Sequence, residues 1–80
     1  MYKNKAGGKN NLCGKNIRNL RLALIPRTSQ RMLADLMQMN GLDIDKNVIQ
    51  RIESGARFVT DIELKAFSRV LNATYDELLK

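Results

Sequence analysis

Four stop signals cut this 80-residue chain into five short segments, and that punctuation constrains the fold more than any other feature. Pro26 has no N–H to donate and restricts the residue before it. Asn40-Gly41, Gly55 and Asn72 supply residues that tolerate the left-handed conformation in which helices end. Between the stops, apolar residues recur at helical spacing: Ile17, Leu20 and Leu24, then Leu33, Leu36 and Met37, then Ile49 and Ile52, then Leu64, Phe67, Val70 and Leu71. Start signals match them. Thr28 or Ser29 can cap a second helix, Asp45 a third, and Thr60 with Glu63 a fourth. Thr74 with Glu77 repeats the capping-box pattern for a short fifth helix ending in Leu78 and Leu79. The first helix is expected from about Cys13 to Leu24. Runs of period two are absent, which argues against a sheet. The expected fold class is all-α: one compact five-helix domain over residues 12–80, with an aliphatic core because only 5% of residues are aromatic.

The composition removes several functions. A lone Cys13 and no histidine leave neither an intrachain disulfide nor a zinc site, and no cofactor is expected. Cys13 reads as a small buried apolar group. No nucleophile–base arrangement or paired carboxylates point to an enzyme. Gly7-Gly8-Lys9 lacks the strand, helix and spacing of a phosphate-binding loop. No small-molecule ligand is evident. No apolar run is long enough for a bilayer, and the basic start lacks a signal peptide's apolar segment. A reduced, cytoplasmic location fits.

What remains is charge. The net charge is +6, and residues 1–11 carry three lysines, two glycines and three asparagines without apolar periodicity. They read as a disordered basic arm. Such a balance suits a polyanionic partner, most simply nucleic acid.

The segment from Asp45 to Gly55 sharpens that choice. Ile49 and Ile52 face a core, whereas Lys46, Asn47, Gln50 and Arg51 fall together on the opposite face. Arg and Lys pair with guanine edges, Asn and Gln with adenine. The same four residues are also compatible with an ordinary solvated face.

Taken in order, Gly14-Lys15-Asn16-Ile17-Arg18-Asn19-Leu20-Arg21, Ser29-Gln30-Arg31-Met32-Leu33-Ala34 and Val48-Ile49-Gln50-Arg51-Ile52-Glu53-Ser54-Gly55 resemble the lambda-repressor-like, Cro-type (XRE) helix-turn-helix family. Thr60 to Leu71 and Thr74 to Leu79 extend the resemblance over residues 14–79. It implies a small transcriptional regulator, repressor-like, in a bacterial cytoplasm or nucleoid, binding double-stranded DNA with its third helix in the major groove. Lys46, Asn47, Gln50 and Arg51 then match base-contacting positions. Gln30, Arg57 and Thr60 match phosphate contacts, although Gln30 is equally readable as a first-turn residue. Arg21 and Glu53 match a structural ion pair, the alternative being an Arg21 that reaches solvent along its stem. Phe58 is expected on the core. A homodimer would use the C-terminal helix or the arm. On the same scaffold, a protein-interaction module or antitoxin-like adaptor is the alternative, with Met32, Met37 and Met39 as an adaptable surface. One departure stands out. Eleven positions (45 − 34) separate Ala34 from Asp45, roughly five more than the family's turn.

Overall fold

The computed structural model describes residues 10–80, which form five α-helices and no strands. In chain order they are α1 (Gly14–Ala23), α2 (Gln30–Met39), α3 (Lys46–Glu53), α4 (Asp61–Leu71) and α5 (Tyr75–Leu79). Local chemistry explains each boundary. Ser29, Asp45, Thr60 and Thr74 sit in extended backbone, and each side chain accepts a hydrogen bond from an amide three residues on. Such caps are worth about 1 kcal/mol apiece. Of the two candidate caps for α2, Ser29 takes the role. Thr28 is instead buried, and its hydroxyl donates to the Pro26 carbonyl.

The helix ends follow the same logic. Gly41 (φ 86°) and Gly55 (φ 84°) adopt the left-handed conformation after α2 and α3. The N–H of Leu42 then reaches back to Met37 and that of Ala56 to Arg51, satisfying carbonyls the helices leave open. Asn72 (φ 51°) plays this part after α4.

The inward stripes converge on one core. Ile17, Leu33, Met37, Ile49, Ile52, Phe67 and Leu78 are its largest wholly buried side chains. Each contributes about 1.5–3 kcal/mol by leaving water. Cys13 lies in the same cluster, and burial pushes its thiol pKa up, away from the reactive thiolate. Met37 belongs to this core, as its spacing from Leu33 predicts, and so is not available to the methionine surface of the alternative reading; Leu36, expected on the same inner face, is instead exposed. Ile44 also fills the core from the α2–α3 connection, and the Gln38 amide donates to its carbonyl at 2.9 Å. The connection is therefore anchored close to the start of α3.

Residues 1–9 of the expected basic arm lie outside the described residues. Its last two residues are tied down. The Asn10 amide N–H donates to Gly55 and its side chain to Ala56. Asn11 donates to the carbonyls of Ile52 and Arg57 while its Oδ1 accepts the Gly14 N–H. Asn11 thus does the capping that Cys13 does not. Asn10 and Asn11 therefore pack with the helical domain that the spacing predicts from Leu12 onward. Gly14 is required at this junction, since a Cβ there would collide with the Ile52 carbonyl oxygen.

Arg21, on the apolar face of α1, is 7% exposed and meets Glu53 of α3, which is 6% exposed. Its Nε donates to Oε2 at 2.8 Å, and Nη2 to Oε1 at 3.0 Å. Nη1 donates to the Thr28 carbonyl at 2.9 Å, so the guanidinium does not reach solvent along its stem. Removing one member of such a pair leaves a buried charge unmatched, at about 3–5 kcal/mol. Arg21→Ala and Glu53→Ala are each expected to lose that much in denaturant unfolding. The double variant should lose far less than the sum; additive losses would show the two side chains to be energetically independent.

Candidate nucleic-acid interface

The outer face of α3 is built from behind. Ile49, Ile52 and Glu53 are buried, and the helix period therefore turns Lys46, Asn47, Gln50 and Arg51 outward. All four are exposed. Among the described residues, none of their side chains forms a hydrogen bond or ion pair within the protein. Two cations and two carboxamides therefore share one helical face with their donors unspent. Lys46 and Asn47 also border an open groove of about 350 Å³ between α2 and the start of α3, where Arg31 and Asp35 form the other wall. The carboxylates of Asp35 and Asp45 offset the cations there. Arg27 is exposed on the α1–α2 connection.

The residues expected on phosphates are placed differently. Arg57 is not a free cation. Its Nη1 and Nη2 donate to Oε1 and Oε2 of Glu63, both at 2.9 Å, and Nη1 also donates to the Phe58 carbonyl. The Glu63 bond raises the Arg57 pKa further. Thr60 is spent on its capping box: its N–H donates to Glu63, and its hydroxyl oxygen accepts the Glu63 N–H. Only the Thr60 hydroxyl proton remains to offer. Gln30 is half-buried and donates one amide N–H to Glu53 at 3.1 Å, which leaves the second.

The capping box of Thr60 and Glu63 was readable in the sequence; the addition of Arg57 to it was not. An arginine three residues before a capping threonine is the only local hint. Phe58 departs further from expectation. It is 54% exposed rather than packed on the core.

The chain matches no family model, no curated protein and no solved structure. No helix among the described residues is long and apolar enough to cross a membrane.

Burial alone would raise the Glu63 pKa, but the Arg57 guanidinium and the Thr60 N–H outweigh it and hold the carboxyl below its usual range. A carboxyl with a depressed folded pKa stabilises the protein above its unfolded value and loses that contribution as pH falls through the folded one. The melting temperature of the wild type should therefore fall as pH drops through and below the ordinary carboxylate range. Glu63→Gln should weaken less over that range. Equal acid sensitivity in the two proteins would show that this carboxyl contributes nothing to the acid limb.

Proposed function

We propose that this chain binds double-stranded DNA sequence-specifically, as a small transcriptional regulator built on the lambda-repressor-like helix-turn-helix plan. The observation that carries the reading is the outer face of α3: Lys46, Asn47, Gln50 and Arg51 are exposed and uncommitted, on a helix held rigidly from behind by Ile49, Ile52 and the Arg21–Glu53 pair. Preorganised long donors on one helix suit the edges of bases in the major groove. The net charge of +6 supplies the counterion-releasing term that duplex binding needs.

In this scheme α3 reads bases, and the free amide N–H of Gln30 together with the Thr60 hydroxyl touches the backbone. Arg57 acts chiefly by holding the α3–α4 connection on Glu63. A single domain of this kind covers about 600–1,000 Å² of surface, so monomer affinity is modest. A twofold dimer over two half-sites raises it, and the exposed Ile62, Tyr75 and Leu79 of α4 and α5 offer apolar area for such a contact.

A second reading rests on α2. Met32, Leu36 and Met39 recur at i, i+4 and i+7 and are all exposed, Met39 to 82%. An apolar stripe of that length suits a protein partner.

Titration of a random duplex at several salt concentrations separates the two, because only the DNA reading requires affinity that falls steeply with salt. Within that reading, Arg51→Ala should cost about 1–3 kcal/mol at the preferred site and relax discrimination at one or two base pairs. A selection from random duplexes that returned the same motif for wild type and Arg51→Ala would place base readout elsewhere.

A further inference from the structure

With Arg57 neutralised by Glu63 and Thr60 spent on its cap, the expected backbone contacts lack a free cation. One stands nearby. Arg18, a turn before Arg21 on α1, is exposed and forms no hydrogen bond or ion pair among the described residues. It borders a cleft of about 190 Å³ where α1, the start of α2 and the end of α3 meet; Gln30, Gln50, Glu53 and Ser54 complete the lining.

We infer that this cleft seats one phosphate group of the DNA backbone, with Arg18 as its cation. The inference rests on the duplex-binding reading above and adds a contact on α1 to it.

Charge decides whether an anion is tolerated there. The Glu53 carboxylate is part of the wall, but Arg21 balances its charge. Oε2 accepts one N–H from Arg21, and Oε1 accepts one from Arg21 and one from Gln30. The remaining charge of the cleft is that of Arg18. Donors complement it. Gln30 keeps its second amide N–H, and the bond to Glu53 holds that amide at the cleft. The amide of Gln50 is uncommitted. Ser54 is not a donor here, because its hydroxyl is given to the Arg51 carbonyl. The positive end of the ten-residue α2 opens beside Gln30 and adds to the same field.

Position completes the case. Gln50 belongs both to this cleft and to the outward face of α3, so the cleft is continuous with that face. A helix lying in a major groove has a sugar–phosphate strand along its flank. The forked guanidinium of an arginine suits two oxygens of one phosphate better than a point charge does.

The test is a titration of the full chain against a random-sequence duplex over a range of salt concentrations, with helical circular dichroism recorded for every variant. Arg18→Ala is expected to retain its helices and to lower the salt slope by about 0.9, the value of one phosphate neutralised. Its affinity should fall alike on random and preferred duplexes, and Arg18→Lys should restore the slope. Lys65→Ala, which removes an exposed cation on α4 beside Ile62 and Tyr75, should leave the slope unchanged. An unaltered slope for Arg18→Ala, in a wild type that does bind with salt dependence, overturns the phosphate seat alone. An equal drop for Lys65→Ala also overturns it, since the effect would then be one of overall charge. Absence of salt-dependent binding by the unsubstituted chain overturns the duplex-binding reading, and the phosphate seat with it.

Discussion

The rest of this structure depends on the fork between Arg21 and Glu53. Three helices and one connection meet at that ion pair: α1 through the Arg21 guanidinium, α3 through Glu53, α2 through the Gln30 amide on the carboxylate, and the α1–α2 connection through the Thr28 carbonyl on the guanidinium. A buried ion pair adds little net stability over apolar packing, because both charges must leave water. Its value is geometric. Each oxygen and N–H direction can be satisfied in one arrangement only, so the pair sets how α3 sits on α1. The direction in which Lys46, Asn47, Gln50 and Arg51 point follows from that setting.

A second knot holds the other side of α3. Asn11 bonds backbone groups of α1, α3 and the α3–α4 connection with one side chain, and Gly14 lets the start of α1 come against the Ile52 carbonyl. Beyond it, the Arg57–Glu63 fork closes the α3–α4 connection onto the capping box of α4. The end of α3 is thereby fixed from both sides, whereas the side chains of its outer face form no hydrogen bond or ion pair among the described residues. Rigid backing with free donors is the condition for reading a surface without first reorganising. This is what ties the packing to the proposed function.

Much of this was legible because it is local. Caps at Ser29, Asp45, Thr60 and Thr74 and left-handed residues at Gly41, Gly55 and Asn72 act within four residues of themselves, so spacing alone reveals them. The inward faces of α1, α3 and α4 were equally plain from their period. Asn10 and Asn11 were not, because they bond carbonyls more than forty residues away, and nothing in a run of polar residues announces such partners. The exposed Phe58 and Leu36 show the same limit: residue type and spacing assign both to the core, and the packing around each decides otherwise.

From its amino acids alone the chain determined five helices, their ends, an aliphatic core and a helix with one cationic, amide-bearing face. Those follow from backbone hydrogen bonding and the 3.6-residue period, which operate over a few residues. Only the tertiary structure decided which polar side chains remain free. Arg57, Gln30 and Thr60 find partners inside the protein, whereas the side chains of Arg18, Gln50 and Arg51 form no hydrogen bond or ion pair among the described residues. A charged or amide group bonds whichever complementary group the fold brings within about 3 Å, and that proximity is set by packing between helices.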